Sequence, residues 1–406
     1  MKRTNKDIEN ILNKSGVDWE KEGHLYLIDT EEMTIEKWES FRAYFCGGSD
    51  AGVIINDTCK YTNKRKLAHS KKVLLGTSKE IKNPIYQYDD NTVALRAGHA
   101  LEDMVAGIYA KLTGLDVRII SKMVINEKYP YIAVNFDRII VDTNGDMRLL
   151  EIKTSTGESE YALWGNSYAP TIPIDYCSQL STYQLVGEDL FGDRDATIVA
   201  FMKDSQIGIL AANCLPLDKE YTEDEINGLI ADGMGDSIIS RTYSRDKAYE
   251  EIILDGIEAF YIDFVEGDKL PEISGKNPET DKKVLNELTE KQDNEFVIEI
   301  NNQEVEVACQ RFTDYNAKIS NLKKNLETLT SERDVYGNII IEAMRGSEKG
   351  IVKGATKGVF NLTYRGRNSR STDYKKLQLN HPDIYNDVIT EKKSAPSLTV
   401  KFKERV

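Results

Sequence analysis

The sequence predicts an α/β fold with an antiparallel β-hairpin at the centre of its sheet. Three observations carry this. The order helix, strand, strand, strand, helix, strand runs from 91 to 212. Two strand-like runs, 131–142 and 147–154, flank a Thr143-Asn144-Gly145 turn. Between 91 and 113, Leu95, Leu101, Val105, Ile108 and Leu112 recur at helical spacing, and Gly114 follows as a stop.

The other elements follow from the same signals. Residues 5–14 form a short amphipathic helix, and 34–44 a second, with Thr34 as N-cap and a stop at the Gly47-Gly48-Ser49-Asp50 turn. The stretch 60–90 is polar and basic with weak periodicity. Strands are expected over 117–125, 196–202 and 207–212, and a helix over 175–186. A long acidic helical region covers 220–267 until "GDKLPEISGKNPET" breaks it. Tyr315, Ile319, Leu322, Leu326, Leu329, Tyr336, Ile340 and Ala343 then step by threes and fours, with Arg333 at the interrupting position. This predicts a helical hairpin arm, preferred, or a short coiled coil. A β-hairpin over 352–364 and a closing strand, "SLTVKFKERV", end the chain.

Composition sets the class. With 40% apolar and 30% charged residues the chain is expected to be soluble. It has no apolar run long enough to span a membrane and no signal-peptide core, so a cytoplasmic location is expected. Five scattered cysteines and four histidines offer no zinc-binding spacing. The net charge of −14 is uneven. Residues 345–406 hold fourteen Lys and Arg against six Asp and Glu, a balance of +8, which leaves −22 on the first 344 residues. The basic tail suits a polyanion or an acidic partner, or is simply a solvated β surface.

The candidate site sits in L-L-E-I-K-T-S, residues 149–155. Glu151 and Lys153 share one strand face at the end of an apolar run, where burial without partners is costly. A three-residue 143–145 loop, with Gly145 in the left-handed conformation, pairs Asp137 directly with Glu151. It puts Asn135, Asp137, Glu151 and Lys153 on one face, and Ile132, Val134, Phe136, Ile140, Leu150 and Ile152 on a core face. Facing carboxylates repel unless a divalent cation lies between them. Oxygen ligands without His or Cys select Mg²⁺ or Mn²⁺, and the Ile152 carbonyl can add a ligand. Lys153 can orient a water or stabilise charge on phosphorus. Glu102 can face the sheet end, and Gln179 and Tyr183 lie four apart on one helix face.

Gly98-x-x-Leu101-Glu102, then Asp137…Glu151-x-Lys153, then Gln179-x-x-x-Tyr183 resembles the PD-(D/E)XK nucleases of the RecB and phage lambda exonuclease branch. "WESFRAYFCGGSDAGVI" resembles the start of the YqaJ viral recombinase family, with Trp38-x-x-x-Arg42 leading into a Gly-Gly-Ser-Asp turn. The resemblance runs from about 38 to 201, with a weaker echo beyond. The signature proline is absent, since Asn135 and Phe136 precede Asp137, and 57–90 has no clear counterpart.

The resemblance implies a central mixed β-sheet flanked by helices, a helical arm and a small C-terminal β-rich region. It divides the chain into an N-terminal segment (1–35), a nuclease domain (36–270), the arm (271–344) and a basic β region (345–406). It implies that Asp137, Glu151 and the Ile152 carbonyl hold a metal, with Lys153 as the catalytic lysine. Glu102 would hold a second ion or its water, so that one or two ions bind. Gln179 and Tyr183 would support the site, and Arg42 and Ser49 would hold a 5′ phosphate. The implied activity is a 5′→3′ exonuclease on linear duplex DNA in phage-type single-strand-annealing recombination, with an annealing protein as partner and possible homo-oligomerisation. The alternatives are an endonuclease of the same fold and a catalytically silent DNA-end binding scaffold.

Overall fold

The computed structural model of the chain describes residues 2–31, 33–57, 59, 62–77, 93–156, 162–165, 168–203, 211, 213–216, 219–288, 299–353 and 359–363. The closing strand and most of the basic tail lie outside them. So does the strand expected over 207–212, save Ala211, which is not in a strand. Two compact units are present, Met1–Glu290 and Lys291–Val406.

The first unit opens with α1 (Asn5–Ser15), closed at its start by a Thr4/Asp7 capping box and at its end by left-handed Gly16. β1 (Trp19–Glu22) and β2 (Leu25–Asp29) form a hairpin. α2 (Ile35–Arg42) starts where expected, because the Thr34 hydroxyl accepts from the Lys37 N–H. The expected Gly-Gly-Ser-Asp turn is a new helix instead. Gly47 is the N-cap of α3 (Gly48–Ile55), and the Asp50 carboxylate accepts from the Gly47 N–H at 3.0 Å. An acidic residue in a first turn reads equally well as a helix start, which is what it is. The basic stretch after it contains α4 (Lys64–Leu74), capped by Asn63. α5 (Val93–Thr113) ends at Gly114, whose φ is +69°.

The single strand expected over 117–125 is two strands in two sheets. β3 (Asp116–Arg118) pairs with β5 (Arg138–Val141), whereas β4 (Lys122–Asn126) pairs with β2. The expected strand over 131–142 is likewise shorter. Residues 131–136 leave the sheet, where Ile132 bridges Cys46 and Val134 bridges Val124. β6 (Met147–Thr156) follows, then α6 (Ile174–Val186), α7 (Glu188–Phe191) and β7 (Ala196–Lys203). The acidic region expected to be helical is α8 (Glu223–Ala231), β8 (Ile238–Tyr243) and α9 (Lys247–Phe260) with a π turn to Glu266. β8 has the strand-favouring Ile-Ile and Thr-Tyr pairs that the acidic surroundings mask. α10 (Pro278–Leu288) ends the description of this unit.

The central sheet has the order β3-β5-β6-β7-β8. It is mixed, with β6 and β7 parallel and the other pairs antiparallel. A parallel pair needs a crossover, and α6 lies within it. The sheet is covered on both sides, so the residues expected to form one core face divide between two. Ile140, Leu150 and Ile152 pack under Leu101, Met104 and Ile108 of α5. Ile132, Val134 and Phe136 join Ile139, Leu149 and Leu180 on the α6 side. A third cluster, with Ile8, Leu12, Tyr26, Phe41 and Phe45, ties α1 and α2 to the small β1-β2-β4 sheet.

The second unit contains α11 (Gln303–Met344), one unbroken helix of 42 residues, and a hairpin of β9 (Lys349–Lys353) with β10 (Val359–Thr363). The preferred helical hairpin is not seen: among the described residues of this unit, no second helix packs along α11.

The contact between α3 and α6 depends on one missing side chain. A Cβ on Gly48 would overlap the buried Tyr183 ring and touch Gln179 Cγ. Gly48→Ala is expected to cost about 1–3 kcal/mol, because the ring is enclosed and cannot give way. Gly228→Ala, in α8 with nothing near its Cβ position, is expected to stabilise by about 0.5–1 kcal/mol. Urea midpoints of the two variants check both signs.

Candidate active site

The hairpin turn positions the site. Asp142 N–H donates to the Asp146 carbonyl at 3.0 Å and Gly145 has φ +84°, so the loop is the three-residue 143–145 type. The β5–β6 register pairs Arg138 with Leu150 and stops there. One step further sets Asp137 opposite Glu151, as expected. β5 has ended, so the Ile152 N–H turns to a side chain and donates to Asp137 Oδ2 at 2.9 Å. N–H and C=O of one strand residue point the same way. The Ile152 carbonyl therefore opens on that side, where Ile152 lines a cleft of about 250 Å³ with Glu102, Asp137 and Lys153.

Glu151 is fully buried. Its Oε1 accepts from Gln179 Nε2 at 2.6 Å and contacts the Lys153 ammonium, while its Oε2 is buried with no partner. A buried lone carboxylate oxygen costs free energy unless something meets it. Burial, and then the charge on Asp137, push the Glu151 carboxyl well above the usual range. Burial works against the charge on Lys153, but Glu151 and Asp137 outweigh it, so the ammonium is held more firmly than usual. Gln179 also donates to the Tyr183 hydroxyl at 2.9 Å. The tyrosine is held in its neutral form by burial and then by the same two carboxylates.

Glu102 faces the sheet end, but it is engaged. Arg138 Nη1 donates to its Oε1 at 2.6 Å and to the Asp137 carbonyl at 2.6 Å, and Nη2 lies 3.5 Å from Asp103. Burial and Asp137 raise the Glu102 carboxyl, and Arg138 opposes them. Among the described residues, no three Asp, Glu, His or Cys side chains stand close enough to form a ready cage. Arg138 is the physical reason, since it draws Glu102 to itself. What remains is Asp137, the orphaned oxygen of Glu151 and the Ile152 carbonyl. This all-oxygen set fits a hard divalent cation.

Arg42 and Ser49 come together beside this centre. Arg42 Nη2 donates to Ser49 Oγ at 3.0 Å, and the guanidinium lies 3.5 Å from Asp50. Lys71 lies 3.0 Å from Asp50 and donates to the Phe45 carbonyl at 2.6 Å. Burial opposes the charge on Asp50, yet Lys71 and Arg42 hold its carboxyl below the usual range. The N-terminus of α3 adds backbone N–H groups, as anion sites use. Gly48, next to Ser49, rests on Gln179, so the two groups of residues share a wall.

Sequence reasoning missed four of these residues. Arg138 directly follows Asp137, and strand alternation sends it to the opposite face. Tyr176, whose ring lies 5.3 Å from Lys153 Nζ, is three residues before Gln179 on α6. Both signals were readable. Asp50 and Lys71 offered none, because their pairing joins two helices.

Residues 37–188 match the family model described as a YqaJ-like viral recombinase domain. The resemblance drawn from Trp38, Arg42, the Gly-Gly-Ser-Asp segment and the acidic motif is thereby borne out. The chain is 24% identical over 370 residues, 90% of its length, to "Uncharacterized protein YqaJ" of Bacillus subtilis (strain 168), covering 94% of that protein. Among solved structures it is similar to an alkaline exonuclease (LHK-Exo) from Laribacter hongkongensis, at 18% identity and a TM-score of 0.36, over 56% of this chain and 92% of that one. A phage related exonuclease from Haemophilus somnus 129PT matches at 16% identity and a TM-score of 0.31, over 55% and 95%. The mixed sheet flanked by helices, with Asp137, Glu151 and Lys153 close together at one end, is the arrangement expected from the sequence. No helix among the described residues is long and apolar enough to cross a membrane.

Because burial and Asp137 raise the Glu151 carboxyl above the usual range, a cation that meets it favours release of a proton. Calorimetry in buffers of different ionisation enthalpy is expected to show proton release on Mn²⁺ binding. Affinity is expected to rise with pH until Glu151 is ionised in the free chain, and Glu151→Gln is expected to abolish binding.

Proposed function

We propose that this chain is a metal-dependent deoxyribonuclease that degrades linear duplex DNA from a 5′ end. The observation that carries this is the buried, partnerless oxygen of Glu151, facing Asp137 and flanked by Lys153. A binding protein gains nothing from keeping so costly an oxygen. The YqaJ-like domain supports a nuclease of the phage exonuclease type.

In this reading Asp137, Glu151 and the Ile152 carbonyl would hold one Mg²⁺ or Mn²⁺ ion, and Glu102, paired with Arg138 in the free chain, would serve a second. A bound ion supplies positive charge at the phosphate and acidifies the attacking water. Lys153 orients that water and meets the negative charge that develops on phosphorus. Gln179 fixes the carboxylate of Glu151 and is itself held by Tyr183. Tyr176 lies against Lys153, its ring 5.3 Å from the ammonium.

Arg42, Ser49 and the first N–H groups of α3 hold the 5′ phosphate of the DNA end. Seating the end at one corner places a phosphodiester over the carboxylates, which favours an exonuclease over an endonuclease. The single strands released would pass to an annealing recombinase, and residues 345–406 would contact that partner or DNA.

The decisive assay compares a 5′-phosphorylated linear duplex with a covalently closed circle, with Mg²⁺ or EDTA. Loss of the linear form alone is expected, reduced at least about a hundredfold by Lys153→Ala. Nicking of the circle would favour the endonuclease, and end binding without cleavage a scaffold. In the same assay, Arg42→Ala is expected to erase the preference for 5′-phosphoryl over 5′-hydroxyl ends while leaving some cleavage.

A further inference from the structure

Helix α11 presents a coiled-coil seam to solvent. From Val305 to Ala343 the core positions alternate steps of three and four without a slip, a strict seven-residue repeat. Seven residues fall short of two full α-helical turns, so a straight lone helix cannot keep such a seam on one side. The repeat is what a supercoiled partner helix requires. Val305, Tyr315, Ile319, Leu322, Leu326, Leu329, Tyr336 and Ile340 of the seam are 38–69% exposed, and Phe312 is half-buried.

We propose that α11 pairs antiparallel with α11 of a second copy of this chain. The seam is complementary to its own reverse. In an antiparallel pair centred on Lys324, next to the midpoint of Gln303–Met344, each core position meets a core position of the other copy. Leu322 meets Leu326, and Ile319 meets Leu329. Towards the ends a large residue meets a small one: Ile340 meets Ala308, and Val305 meets Ala343. The one charged core residue, Arg333, lands on Tyr315, where its guanidinium can lie over the ring. Phe312 meets Tyr336, an aromatic pair.

Flanking charges agree. In this register Lys318 lies beside Glu332 of the other copy, and the two-fold axis makes that ion pair twice. Lys323 meets its own copy near the axis, the one like-charge contact among the flanking positions. The parallel arrangement is worse. It sets Arg333 against Arg333 in the core and Lys318 beside Lys323 twice. Like charges so placed oppose pairing. A random heterologous helix would not be expected to match the reverse of this particular seam.

Sedimentation equilibrium of the full chain tests the proposal. The wild type is expected to be a dimer at micromolar concentration. Leu322→Gln with Leu326→Gln keeps helix propensity and is expected to weaken the dimer at least about a hundredfold. Circular dichroism checks that the helix persists. Orientation is read from charge reversal: Lys318→Glu is expected to weaken the dimer about tenfold, and adding Glu332→Lys to restore it. A monomeric wild type overturns the proposal and leaves the seam to another helix. A dimer indifferent to the glutamines overturns it too, since the interface would lie elsewhere. A tighter Lys318→Glu dimer means parallel pairing and overturns the antiparallel assignment.

Discussion

A carboxylate cut off from water and set across from another carboxylate is the constraint on which the rest of the site depends. Glu151 is at the end of an apolar strand, and Asp137 faces it because β5 and β6 share a three-residue turn. Left alone, such a pair would repel and force the strands apart. It is held by a lysine two residues away and by an amide from α6, while burial raises the Glu151 carboxyl above its usual range. The long crossing of α6 through the core, with nearly every residue from Ser178 to Val186 enclosed, has a physical purpose here. An amide donor must arrive at a fixed point, and only a rigid helix delivers it.

The same economy governs the surroundings. Gly48 lets α3 approach α6 closely enough for Ser49 and Arg42 to share a wall with Gln179. Lys71 reaches in from α4 to balance Asp50, which in turn holds Arg42 in place and caps the first turn of α3. A local concentration of positive charge thus forms on a body that is strongly acidic overall. On the proposed reading, this is how an acidic protein accepts a DNA end. General attraction is replaced by a few fixed cations and a helix terminus aimed at one phosphate.

Arg138 shows how one residue can set the resting state of a site. It neutralises Glu102 and bonds to the Asp137 backbone, so the three carboxylates do not converge by themselves. Repulsion among them is thereby relieved in the free chain. The arrangement also separates two tasks. Asp137 and Glu151 are set by strand register, whereas Glu102 sits on a helix and is paired with Arg138.

Local spacing was enough for much of this. The turn type around Gly145, and with it the facing of Asp137 and Glu151, follows from a glycine at the one loop position that needs a left-handed backbone. The order of helices and strands, the pairing of Gln179 with Tyr183, and the seven-residue repeat of α11 are likewise properties of the chain read along its length. What needed the tertiary structure is whatever joins distant segments or divides a continuous pattern. The run from 117 to 125 looks like one strand, and only packing against two different sheets splits it. Ile132, Val134 and Phe136 share a period with Ile140 and Leu150, yet the chain turns out of the sheet between them. Asp50 and Lys71, or Arg138 and Glu102, carry no mutual signal, because an ion pair between elements leaves no periodicity in either one. Sequence determines which faces are apolar and where turns fall, since those are local energies. Which buried charges meet is decided only when the elements pack, since that depends on distance in space.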